Sequence, residues 1–199
     1  MFNPQSVKLT FAEIELVPLT LDWAQDFHHC ANDDRIWQWK IPNPCTSLEA
    51  TKDWISQALL ERDTGTQVPF VIIDKLSGQM AGSTRYLNID KANKKLEIGH
   101  TFLNPKFWRT HVNSQNKLCL LQHAFEDLSA IRVEFRTNEL NQRSKNAISR
   151  LGAQLEGIMR KDRILPTGKL RSSAVFSIID DDWPAAKAAL LNKINRYQK

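Results

Sequence analysis

The chain has 199 residues, 42% of them apolar and 25% charged, with a formal net charge of +5, a composition typical of globular proteins. Three cysteines, Cys30, Cys45 and Cys119, without a C-x-x-C spacing argue for reduced thiols and against a disulfide framework or a zinc site. No apolar run approaches the roughly 20 residues that span a bilayer, and the dispersed lysines and arginines suit an anionic small molecule without forming a nucleic-acid stripe.

No internal repeat or low-complexity linker is visible, so a single domain is expected over 1–199. The opening MFNPQSVKLT lacks the charged-then-apolar order of a signal peptide, which makes a cytoplasmic protein the default. KLTFAEIELVPL (8–19) reads as a strand closed by Pro18, followed by a short helical piece over 21–32 that contains His28 and His29. Thr46 and Glu49 have the spacing of a capping box, and Trp54, Ile55, Ala58 and Leu59 form an apolar stripe at helical spacing.

From residue 67 the period changes. QVPFVIIDK, MAGSTRYLNID and KLEIGHTFL, separated by turns, read as a three-stranded antiparallel meander. In KLEIGHTFL the alternation puts Glu97, Gly99 and Thr101 on one face and Ile98, His100 and Phe102 on the other. A helix over 113–129 shows Leu118, Leu121, Phe125 and Leu128 on one side, and IRVEFRT is a strand with Ile131, Val133 and Phe135 together. QRSKNAISRLGA is a helix stopped at Gly152. Two strands around the turn at 166–168 and a final helix over 180–196 complete the chain.

This order implies a mixed α/β sheet, mostly antiparallel and flanked by helices. The strand at 131–137 is reached through a helix, so it should lie parallel to the one at 96–103 through a right-handed crossover. The helix leaving that earlier strand starts at the crevice where such sheets bind ligands.

LEIGHTFLNPKFW, the run from Val112 to Arg160, and VFSIIDDDWP, in this order and spacing, resemble the GNAT superfamily of acyl-CoA-dependent N-acetyltransferases. More narrowly they resemble the branch that acetylates ribosomal protein N-termini. The resemblance implies a sheet split into a V-shaped cleft that holds acetyl-CoA. The pantetheine arm would pair with the backbone around Phe102 and Leu103, and the diphosphate would sit on the following helix start. Acetyl would pass directly to a primary amine, such as a protein N-terminus or a small amine, in a chain that is compatible with a homodimer.

The superfamily's diphosphate loop commonly reads Gln/Arg-x-x-Gly-x-Gly/Ala. The aligned window here is Trp108, Arg109, Thr110, His111, Val112 and Asn113, followed by Ser114, and it has no glycine. A helix start still supplies N–H donors and a positive dipole end, and Arg109 adds a cation. A plain helix cap beside a surface arginine is the competing reading.

By the same resemblance Glu97 is the general base, Asn141 binds the pantetheine arm, and Ser144 stands near the sulfur as proton donor. His100 has an ordinary pKa suited to a base, ~6.5. Each has a plainer alternative: a salt-bridged strand glutamate, two helix caps and a packed histidine. His28, His29 and Cys30 read as helix residues, and Asp180 to Asp182 as a helix start; no metal is expected. Trp37, Trp39 and Trp54 either line an acceptor pocket or pack a core, and MRKDR (159–163) either attracts a phosphate or forms a solvated edge. A non-catalytic acyl-CoA-binding module is the alternative to the enzyme.

Overall fold

A computed structural model describes residues 2–39 and 42–196. Eight strands form one sheet in the order β1-β2-β3-β4-β5-β6-β8-β7. The strands are β1 (Leu9–Phe11), β2 (Ile14–Pro18), β3 (Gln67–Asp74), β4 (Gln79–Asp90), β5 (Lys95–Leu103), β6 (Arg132–Asn138), β7 (Gln154–Ile164) and β8 (Leu170–Ile179). Among the described residues there are six α-helices: α1 (Ala24–Ala31), α2 (Asp34–Trp37), α3 (Leu48–Asp63), α4 (His111–Gln122), α5 (Gln142–Ser149) and α6 (Trp183–Arg196). Every strand pair is antiparallel except β5–β6, which is parallel as the intervening helix requires.

Two apolar cores sit on opposite faces of the sheet, because strand side chains alternate. On one face Leu118 and Leu121 of α4, Ile148 of α5 and Leu190 of α6 pack on Tyr86, Ile98, Val133 and Phe176. On the other, Phe27, Trp37 and Ile55 of α1–α3 pack on Val71 and Phe102. Cys30, Cys45 and Cys119 are buried free thiols, and burial pushes the Cys30 and Cys119 thiols up to about 12.

Several sequence expectations change. The stretch 8–19 is a tight hairpin, β1–β2, turning at Ala12 with a φ of 46°. The capping box fails: Ser47 caps α3 by accepting from the Ala50 N–H at 3.1 Å, one residue beyond Thr46. The helix expected over 113–129 begins at His111 and gives way after Gln122 to a π-helical turn, His123–Asp127. Ile131 lies outside β6 and is 47% exposed. Gly152 is left-handed as expected, with a φ of 93°.

The largest correction concerns β5. Ser83 pairs with Phe102 and Arg85 with Gly99, so Thr84 alone faces both His100 and Thr101. His100 absorbs the extra residue with a φ of 49°, a β-bulge that reverses the alternation beyond it. Phe102 therefore joins the core under α1–α3, and Thr101 turns to the α4 face to accept from Lys117 Nζ at 2.7 Å.

Candidate active site

The parallel pairing of β5 with β6 is short. It joins Lys95, Leu96 and Glu97 to Arg132, Val133 and Glu134 and then stops, although β5 runs on to Leu103 and β6 to Asn138. Past Glu97 the β5–β6 ladder ends and the two strands run on without pairing to each other, the kind of opening in which an extended ligand can add to a strand. α4 starts at His111, one short loop after β5 ends at Leu103, so its N-terminus follows the carboxyl end of that strand, where such sheets bind ligands.

The loop does without glycine by straining another residue. Arg109 adopts a φ of 63°, a left-handed conformation that glycine usually supplies. Thr110 caps α4: its hydroxyl accepts from Val112 N–H at 3.4 Å and donates to Phe107 O at 2.8 Å. The first turn of α4 contains no acidic residue, so nothing there neutralises the dipole. His111 Nε2 bonds Asp74 Oδ1 at 3.0 Å. Burial pushes Asp74 up, but hydrogen bonds from Ser77 and His111 outweigh it and hold the carboxyl low. The His111 ring thus ties the helix start to the β3–β4 turn, and only its backbone remains for a ligand. Val112 is fully buried, Ser114 is buried, and Asn113 is half-buried.

The side chains of Phe102 and Leu103 are both core. Leu103 O already accepts from Trp108 Nε1 at 2.9 Å. That indole is flanked by two arginines far apart in sequence, with Arg143 Cζ 4.3 Å and Arg35 Cζ 5.8 Å from its ring centroid. The loop position that the resemblance reserves for a basic or amide residue therefore carries a platform on which α5 and α2 place guanidinium groups. Sequence reading missed this pair, because nothing in the spacing of 35, 108 and 143 links them.

Glu97 is 4% exposed. Its carboxylate accepts from Asn88 Nδ2 at 2.8 Å and lies 3.4 Å from Arg136 Nε, an ion pair without hydrogen-bond alignment. Burial raises its pKa, against the Asn88 hydrogen bond and the charges of Arg136 and Arg163. A shallow pocket reaches it, lined by Asn88, Asp90, Lys95, Leu96, Glu97, Glu134 and Arg136. A carboxyl held partly out of water and reachable from a pocket is suited to proton exchange.

His100 is exposed and lies tilted against Trp54, ring centroids 5.9 Å apart, so it is not a packed core histidine. Asn141 caps α5 with Oδ1, accepting from Ser144 N–H at 3.0 Å; its Nδ2 has no acceptor among the described residues. Ser144 is half-buried in the first turn of α5. Lys117, which the sequence reading passed over, is buried with its ammonium on Thr101 of β5 and 5.9 Å from the Phe135 ring of β6. A lysine on the apolar side of a helix was the signal available. Trp37 and Trp54 pack edge to face, ring centroids 6.1 Å apart, in the core beneath α1–α3. No cluster able to hold a metal ion occurs among the described residues.

Residues 13–154 match the family described as an acetyltransferase (GNAT) domain. The uncharacterized N-acetyltransferase p20 of Bacillus licheniformis is 24% identical over 152 residues, covering 76% of this chain and 84% of that protein. A GCN5-related N-acetyltransferase from Brucella melitensis has a similar structure, with a TM-score of 0.89 at 25% identity over 96% of this chain and 87% of that one. RimJ from Mycobacterium smegmatis, solved in complex with CoA-disulfide, gives a TM-score of 0.80 at 17% identity over 96% of this chain and 95% of that one.

Proposed function

Because the chain belongs to the GNAT acetyltransferase family, we propose that it moves the acetyl group of acetyl-CoA directly to a primary amine. The observation that carries this reading is the early end of the β5–β6 pairing beside a buried carboxylate, Glu97. Acetyl-CoA supplies an activated thioester when bound; the rest is work for the chain's own groups. The stretch of β5 beyond the β5–β6 ladder holds the pantetheine arm. First-turn N–H groups of α4, with Arg109 and Arg143, receive the diphosphate, while the Arg35 guanidinium is held by Asp33.

Glu97 takes the proton that the acceptor ammonium must lose before its nitrogen can attack. Its raised pKa brings a carboxyl closer to the range where it can accept and release a proton. Backbone N–H groups at the bulge stabilise negative charge on the thioester oxygen. Asn141 Nδ2 bonds the pantetheine arm, and Ser144, with a water, protonates the departing sulfur. A protein N-terminus is the first acceptor class to examine, together with polyamines and other small amines.

A second reading, an acyl-CoA-binding module without turnover, draws on Asn141 Oδ1, which is already spent as a helix cap. Titration calorimetry with acetyl-CoA, against dephospho-CoA and ATP, followed by an amine screen for released thiol, separates the two. Binding with thiol release supports the transferase. Binding without release from any amine supports the module, and no binding refutes both.

A further inference from the structure

On the face covered by α1–α3, β4 sends a charged side chain into the space beside the bulge. Arg85 is 5% exposed. It stands opposite Gly99 in the β4–β5 register, while Leu87 stands opposite Glu97. Arg85 and Glu97 are therefore diagonal neighbours on one face, roughly 7–8 Å apart at the backbone. Their ends then diverge. Glu97 leans to Asn88 and Arg136, and Arg85 leans to β3, donating from Nη1 to Gln67 Oε1 at 2.8 Å. Gly99 lets the Glu97 carboxylate and Leu87 close over it, since a Cβ there would lie 3.0 Å from both Glu97 Oε1 and Leu87 Cδ2. Trp54 of α3 covers the arginine, with Cζ 5.0 Å from its ring centroid.

A guanidinium carries five N–H donors, and Gln67 occupies one of them among the described residues. Glu61 acts on it through space without contact, its own carboxylate accepting from Gln57 at 3.0 Å. Burial pulls the Arg85 pKa down to about 10, with the charge of Glu61 opposing. The Trp54 ring offsets part of the desolvation, but it takes up none of the guanidinium's remaining hydrogen-bond donors. A buried cation held by one neutral amide is costly. The cost is recovered where a ligand brings the anion.

We infer that Arg85 binds a carboxylate of the acceptor, so that the preferred substrate is an amine carrying a carboxylate several bonds away, either a free amino acid or the acidic start of a polypeptide. The inference rests on the acetyl-transfer reading above. A carboxylate can meet the guanidinium plane through two parallel hydrogen bonds while the amine lies toward Glu97. A neutral amine of the same shape leaves those donors unmet, which is where a polar site discriminates most strongly.

The test compares wild type with Arg85→Gln and Arg85→Met. Thiol release from acetyl-CoA is followed with ω-amino acids of graded length beside the matching ω-amino amides. Peptides beginning with glutamate are set beside peptides beginning with glutamine. Wild type should favour the carboxylate in kcat/KM by about ten- to a hundred-fold, and Arg85→Gln should abolish that preference without changing the Kd for acetyl-CoA. Preference among the amino acids assigns a small-molecule acceptor, and preference among the peptides a polypeptide; either supports the inference. Equal use of carboxylates and amides by wild type overturns it.

Melting gives an independent readout. Arg85→Met, an apolar chain in place of a buried cation, should melt at least about 2 °C above wild type. A lower melting temperature makes Arg85 a structural prop and overturns the inference. If no amine releases thiol, the transferase reading falls by itself. The inference then stands only if ω-amino acids raise the melting temperature of wild type and not of Arg85→Gln.

Discussion

Glu97 is where local environment and chemistry meet most closely. Burial raises its pKa above the ordinary 4.5, so protonation stabilises the native state relative to the unfolded chain. That contribution is complete below the unfolded pKa and is lost as pH rises through the folded one. Glutamine stays neutral throughout. Glu97→Gln should therefore match wild type in melting temperature at about pH 4 and exceed it at about pH 8, while turnover falls and the Kd for acetyl-CoA holds. A variant that melts lower at the higher pH would show that the Asn88 and Arg136 contacts outweigh burial. Arg109 gives the opposite pairing of effects. Its left-handed backbone costs about 1 kcal/mol, which Arg109→Gly should return as a higher melting temperature while weakening acetyl-CoA binding through the lost cation. Unchanged affinity in calorimetry would remove Arg109 from the phosphate site. Glu97, Arg109 and Asn141 were legible as candidates from spacing and resemblance. Arg85, Arg143 and Lys117 were not, because their positions depend on strand register and on stacking between elements distant in sequence.

Among the elements, β5 shows how far periodicity reaches. Its extent, antiparallel pairing with β4 and parallel pairing with β6 follow from the hydrophobic pattern and the crossover rule. Its facing beyond Gly99 does not, since one extra residue at His100 inverts every later side chain. The same strand relies on Gly82 of β4, where a Cβ would fall 2.0 Å from Phe102 O. Gly82→Ala should cost at least about 3 kcal/mol, seen as an early unfolding midpoint in denaturant. A midpoint within error of wild type would mean that the two strands can separate cheaply there. The helices other than α2 were legible within a few residues, and the start of α3 moved by one residue because Ser47, not Thr46, is its cap, accepting from the Ala50 N–H. The break in α4 at His123 had no sequence signal at all.

For the whole molecule, the β3–β4–β5 meander and the parallel β5–β6 crossover came through because local pattern and connection rules agreed, whereas the placing of β8 between β6 and β7 and the division into two cores emerged only with the structure. The short β5–β6 junction has a mechanical side. Three residue pairs join a five-stranded half-sheet to a three-stranded one, so the ladder is missing its upper rungs, and a bound pantetheine arm would replace them. Deuterium uptake should report this directly: acetyl-CoA should slow amide exchange along β5 beyond Glu97, with little change in β1–β3. Equal uptake with and without the ligand would place the arm elsewhere. Read this way the cosubstrate is a splint as well as a reagent, and loss of CoA after transfer would loosen the seam and open the way for the next donor.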